Sequence, residues 1–134
     1  MNVSSSAVAA PFACRDDAGV VTHDAVVKAR AIQCALSRIC GVCGEALIRP
    51  IAFLGSPDEA LDRIFTFPPT HLTCAHTALE RYAPFGDGVL GQPLAPRHWV
   101  VVTTAGFDLV RPSHRGDPVT FRPNSVLDTK IWGK

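Results

Sequence analysis

Residues 40 to 44 read Cys40-Gly41-Val42-Cys43-Gly44, and a second pair follows at His71-x-x-Cys74. Two thiols, then an imidazole and a thiol, each pair three positions apart, make a full tetrahedral ligand set for Zn²⁺. A Cys-x-x-Cys pair alone also serves redox chemistry, but that use goes with a βαβ setting that is weak here, and a glycine after the second cysteine suits a metal knuckle. Cys40 and Cys43 are the firmest ligands, followed by Cys74 and then His71. His76 takes the place of His71 if the helix that carries them starts later.

Such ligands must be aimed at one point from opposite corners, about 2.0 to 2.3 Å from the ion. A tight turn does this for the first pair. Gly41 and Gly44 can take positive φ and leave amide groups free to face the sulfurs. For the second pair the sequence predicts a helix from Thr70 to about Tyr82. Pro68 and Pro69 end the preceding segment, Thr70 caps the helix, and Pro84 stops it. His71 and Cys74 then share a face near the helix N-terminus, where the dipole favours thiolate. Leu72, Ala75, Leu79 and Tyr82 are available for a core.

The run RICGVCGEALIRPIAFLG (38–55) and the run FTFPPTHLTCAHTALERYAPF (65–85) together resemble small zinc-binding proteins of unknown function encoded by actinobacteria and their phages. Those carry a Cys-Gly-x-Cys-Gly knuckle, a short hairpin, a Pro-Pro-x-His-x-x-Cys-Ala stretch, a helix and a later tryptophan-led strand. The matching positions are Cys40, Cys43, Pro68, Pro69, His71, Cys74 and Ala75, with Trp99 leading the strand. The likeness is close over 38–85 and loose beyond. It implies a treble-clef arrangement of knuckle, hairpin and helix. It implies a bound metal but no activity, because treble clefs serve nucleases, ribosomal proteins and plain scaffolds alike.

The remainder of the chain must supply the body around this site. Its 134 residues, 47% of them hydrophobic, suit one domain with a real core. We expect an α+β fold: a zinc-stabilised, treble-clef-like domain with an N-terminal helix and a C-terminal antiparallel β meander. Residues 1–20 are small and polar and read as a loose segment, leaving a single zinc-binding domain over 21–134. Within it, 38–84 is the zinc segment, 84–96 a Gly/Pro-rich loop and 97–134 a β tail. Residues 24–39 form an amphipathic helix capped by Asp24, with Ala25, Ala29, Ile32, Leu36 and Ile39 on one stripe. Its basic side chains, Lys28, Arg30 and Arg38, read as an ordinary solvated surface.

Residues 47–55 suggest a strand interrupted by Pro50, which marks a sheet edge or a bulge. Ser56-Pro57-Asp58-Glu59 is a capping box opening a short helix through about Arg63, and 64–67 offers a return strand. The tail holds three strand patterns, beginning at His98, Phe107 and Val119 and separated by turn residues. The Arg115-Gly116-Asp117 triplet reads as one such turn. Trp132 is placed either to pack back on the fold or to stand at an interface.

The net charge of +1 hides a mild asymmetry, whose basic C-terminal end suits phosphate or an acidic partner but reads first as a solvated face. Residues 1–96 carry seven Lys/Arg and nine Asp/Glu, a balance of −2; residues 97–134 carry six and three, a balance of +3. No stretch reaches the roughly 18 apolar residues that a membrane crossing needs, and no positively charged leader is present, so we expect a cytoplasmic protein with no membrane partner. A reducing compartment also fits five cysteines, of which three go to the metal; Cys34 falls in a helical pattern and reads as a small buried residue, and Cys14 has no assigned role.

Two functions fit. In the first, the zinc is structural and the chain is a module binding nucleic acid or protein, or a second copy of itself through an exposed strand edge. Arg97, Arg111, Arg115 and Arg122 are the candidate contacts, with Trp99 or Phe107 available to stack on bases. In the alternative, a zinc-dependent hydrolase or nuclease-like enzyme keeps one metal position open, with His71 free and His76 and Glu80 as base and orienting group. His98 and His114 stand in no motif. The chain lacks His-Glu-x-x-His, a phosphate-binding glycine loop and Gly-x-Ser-x-Gly, so no catalytic residue is assigned.

Overall fold

Ile51–Gly55 is an unbroken apolar run, and each of its residues is buried. Such a run suits a strand covered on both faces. In the computed structural model, which describes residues 10–15 and 25–133, this run is strand β1 and lies inside a sheet. The edge position expected from Pro50 is not found. Pro50 precedes the strand, after a cis peptide bond with Arg49, so its missing N–H costs the ladder nothing.

The fold is α+β with antiparallel pairing throughout. Helix α1 spans Lys28–Ser37, α2 Pro57–Asp62 and α3 Leu72–Tyr82. Strand β2 is Thr70–His71, β3 Val100–Thr104, β4 Phe107–Val110, β5 Thr120–Pro123 and β6 Val126–Ile131. One sheet has the order β2-β1-β3-β6; β4 and β5 form a separate pair. The tail is therefore not a simple meander. The β4–β5 hairpin leaves the main sheet after β3, and β6 returns to pair with β3. The sequence predicts three strands in the tail; the fourth, β6, mixes three polar residues with three apolar ones. The expected strand over 64–67 reduces to one antiparallel bridge, Phe65 to Phe121, that joins the hairpin to the body.

Alternation along β1 and β3 divides the core in two. Ala52, Leu54 and Val101 face α3, together with Ala75, Ala78, Leu79 and Tyr82. Ile51, Phe53, Val100 and Val102 face the other way, onto Phe65, Phe107 and Phe121 and the helix α1. Phe53 is the hub there: its ring lies 5.4 Å from Phe65, 5.8 Å from Phe107 and 6.1 Å from Phe121.

Helix α1 is shorter than expected and turned. It buries Ala31 and Cys34, whereas Leu36 is 68% exposed, so Ala25, Ala29 and Leu36 do not form the inner stripe. Ala31 packs into the phenylalanine cluster, and the helix lies nearest residues 12–14 and β4. Asp24 lies outside the described residues, and Val27 is the N-cap position.

The capping box forms as expected. The Glu59 N–H donates to Ser56 Oγ (3.1 Å), and the Ser56 N–H donates to Glu59 Oε1 (3.0 Å). Glu59 also accepts from the Thr66 amide and hydroxyl and from the Gln92 side chain, tying the 84–96 loop to the body. Trp132 packs back on the core, its N–H donating to the Trp99 carbonyl. The Arg115–Asp117 triplet is a turn closed by the Asp117 N–H donating to the His114 carbonyl.

Candidate metal centre

The knuckle is closed by a short hairpin. Ile39 pairs with Ala46, the Leu47 N–H donates to Arg38 O, and the Cys40 N–H donates to Glu45 O. Inside it the Gly44 N–H donates to Cys40 O, with Gly44 at φ +77°, a conformation only glycine takes freely. Gly41 has no positive φ. Its role is close approach, since a Cβ there would lie 3.1 Å from Pro68 Cβ. That proximity lets the Gly41 N–H donate to Pro69 O (2.8 Å), which draws the segment before His71 against the knuckle.

Thr70 does not cap α3. It belongs to β2, and its hydroxyl donates to the Ala52 carbonyl from a fully buried position. The helix starts two residues later, with His71 as its N-cap. His71 and Cys74 thus flank the first turn, and the N-terminus of α3 points at the knuckle.

Cys40, Cys43, His71 and Cys74 come together, with their candidate ligand atoms all within 4.8 Å of one another. His71 Nδ1 lies 3.5 Å from Cys43 Sγ and 3.6 Å from Cys74 Sγ. A tetrahedral ion with bonds of about 2.3 Å to sulfur and 2.05 Å to nitrogen requires an S···N separation of about 3.6 Å. The donor set and its spacing therefore fit a metal ion, and the Cys₃His group could hold one.

Surrounding groups complete the fit. Cys40 Sγ accepts from the amides of Val42 (3.3 Å), Cys43 (3.5 Å) and His71 (3.4 Å), a pattern that stabilises negative charge on sulfur. His71 Nε2 is 2.8 Å from the Ala46 carbonyl. A carbonyl only accepts, so Nε2 carries the proton and Nδ1 presents its lone pair to the sulfurs. Without a cation these thiols are crowded. Burial, then the neighbouring Cys40 and Cys43 sulfurs, push Cys74 up to about 12, and burial chiefly raises Cys43. A bound dication reverses this balance by favouring thiolate.

Sequence reading missed the support from upstream. The Phe12 N–H donates to Val42 O (3.0 Å) and the Ala13 N–H to Gly41 O (2.9 Å), so residues 10–15 clasp the knuckle from behind. Ala10, Ala13 and Cys14 are buried, although they fall within the segment expected to be loose; residues 1–9 and 16–20 lie outside the described residues. The only hint was the apolar character of the Ala10–Cys14 stretch.

His76 does not join the cluster. It projects from α3 beside a groove of about 280 Å³ whose lining includes Leu72, Thr103, Asp128, Lys130 and Trp132. Glu80, also on α3, is exposed. Arg97, Arg111, Arg115 and Arg122 are exposed but dispersed: Arg97 precedes β3, and the other three belong to the β4–β5 hairpin, where Arg122 faces Asp108. Trp99 and Phe107, expected as stacking platforms, are only 6% and 9% exposed and sit in the two cores. The five cysteines form no disulfide, and among the described residues no helix is long and apolar enough to cross a membrane.

Comparisons with protein-family profiles, curated proteins and solved structures returned no match to this chain.

Proposed function

We propose that the chain is a treble-clef-like interaction module whose Cys40, Cys43, His71 and Cys74 hold a structural Zn²⁺. The match between the His71–sulfur separations and a tetrahedral zinc site carries this reading. Four protein donors fill a tetrahedron and leave no position for water, which favours a structural ion over a catalytic one. His76, the candidate base of a hydrolytic site, stands outside the cluster. When bound, the ion joins the knuckle to the first turn of α3; the chain's own part is to orient His71 through Ala46 and to stabilise Cys40 through three amides. The same knuckle-then-helix order supports kinship with the small zinc proteins of actinobacteria and their phages.

A protein partner is the better supported choice over nucleic acid. The aromatic side chains that would stack on bases are in the core, and the arginines form no continuous track for phosphates. The test is elemental analysis of native protein, where one zinc per chain is expected, combined with titration against labelled oligonucleotides at low salt, where no saturable binding is expected. Absence of any transition metal refutes the structural ion. Tight, salt-sensitive oligonucleotide binding refutes the choice of partner.

A further inference from the structure

Strand β6 is the last strand of its sheet, and among the described residues nothing pairs with its outer edge. It runs six residues, about 20 Å, with five of the six positions exposed. Leu127 is 66% exposed and Ile131 45%, an unusual loss of apolar burial for one short strand. The hydrogen-bonding phase of the edge follows from its neighbour. The Trp132 N–H donates inward to Trp99 O, and β6 pairs with β3 in the continuing register Ile131 to Val100 and Lys130 to Val101. Alternation then turns the N–H and C=O of Thr129 and Ile131 outward, away from β3.

Charged side chains on an edge normally discourage a second strand. Here their order does the opposite. Reading Val126-Leu127-Asp128-Thr129-Lys130-Ile131 against itself in antiparallel sense, with Thr129 on the two-fold axis, sets Asp128 opposite Lys130 of a second copy and Lys130 opposite its Asp128. Leu127 meets Ile131, and Thr129 meets Thr129. Opposite charges, aliphatic pairs and a threonine pair are the cross-strand combinations that stabilise a sheet. Thr129 and Ile131, whose amides face outward, fall at hydrogen-bonded sites of the new ladder, and the charged residues fall at the non-bonded sites, where side chains come closest. A shift by two residues in either direction places Asp128 against Asp128 or Lys130 against Lys130, so a single register is selected. Within one chain, Asp128 and Lys130 satisfy each other only loosely, at 3.7 Å and in solvent.

We propose that the outer edge of β6 is a self-recognition surface, and that a second copy of this chain docks on it as an isologous antiparallel dimer with a continuous eight-stranded sheet. The inference rests on the sheet edge and not on the ion, so failure of the zinc reading leaves it standing. The edge is short and the exchange is expected to be reversible.

Sedimentation velocity of the metal-loaded full chain across a concentration series tests it. The expected result is a shift from a 14.3 kDa monomer to a species of twice that mass as concentration rises. Thr129→Pro removes an outward donor and no bond to β3, so the variant should fold and remain monomeric. Asp128→Lys and Lys130→Asp each place like charges across the axis and should weaken association about tenfold. The double exchange D128K/K130D should restore it. A chain that stays monomeric into the millimolar range overturns the proposal. So does a dimer that survives Thr129→Pro, or a double exchange that fails to recover what the single changes lose.

Discussion

The two faces of the main sheet are held by different means. Toward α1 and the β4–β5 hairpin, three phenylalanines interlock around Phe53, and large apolar area is removed from water. Toward α3 the core mixes large side chains such as Phe67, Tyr82 and Trp99 with six small ones, Ala10, Ala13, Cys14, Ala52, Ala75 and Ala78. Small side chains bring backbones close but yield little transfer free energy. That face also carries the Cys₃His group, which brings the knuckle hairpin to the N-terminus of α3. A tetrahedral ion held there would fix the small-residue end of that face, while the aromatic cluster needs none.

The largest effect separating the faces should come from the ligands. Cys43→Ser, His71→Ala or chelation of zinc is expected to abolish cooperative thermal melting, because apparent zinc binding energies of about 10 to 16 kcal/mol are folding energy in such sites. A variant melting sharply at the native temperature without metal would show that the α3 face stands alone. His76→Ala should leave zinc stoichiometry unchanged, which separates the two histidines on α3.

Next is Phe53→Ala, which should cost about 3 to 5 kcal/mol by chemical denaturation while retaining one zinc per chain. Equal loss of metal would mean that the two faces are not independent.

Acidity should act on one face and alkalinity on the other. Thiols must lose protons to bind the ion, and in the metal-free site burial holds Cys74 at about 12. Zinc affinity should therefore fall as pH drops, by up to about tenfold per pH unit for each thiol that protonates. Competition with a chromophoric chelator between about pH 8 and 6 measures this. Cys34, on the buried side of α1, lies outside the Cys₃His group. Burial raises its thiol to about 12 from 9.0, so its contribution to stability is complete below pH 9 and is lost as pH climbs through 12. In the metal-free chain, iodoacetamide should modify exposed Cys43 well before buried Cys34; equal rates would contradict the packing of α1.

The smallest expected effect is at the capping box. Ser56→Ala should cost about 1 kcal/mol in denaturant melts with no change at either face.

Much of this was legible from the chain because it depends on near neighbours. The Cys-x-x-Cys and His-x-x-Cys spacings fix geometry within one turn each, and Ser56 with Glu59 closes its box locally. The fit of four side chains around one point followed from ligand chemistry. What was not legible depends on distant partners. Thr70 has the chemistry of a cap, but a strand at Ala52 takes its hydroxyl. Pro50 read as an edge signal because its neighbours in sequence do not reveal that the strand starts one residue later. Leu36 completes a periodic stripe on paper, yet the face of α1 that turns inward is the one that carries Ala31 and Cys34. The clasp from residues 10–15 rests on main-chain groups, for which side-chain identity offers no more than the apolar character of the stretch.

That clasp has a practical corollary. The carbonyls of Gly41 and Val42 are satisfied by amides far upstream, and Phe12 rests against Gly44, within 3.1 Å of where a Cβ would stand. Recombinant material trimmed to begin after Arg15 would strip the back of the metal loop and expose those oxygens to solvent. Shortened proteins intended for metal studies should keep the Ala-Pro-Phe-Ala-Cys stretch, or they will report on a loosened loop.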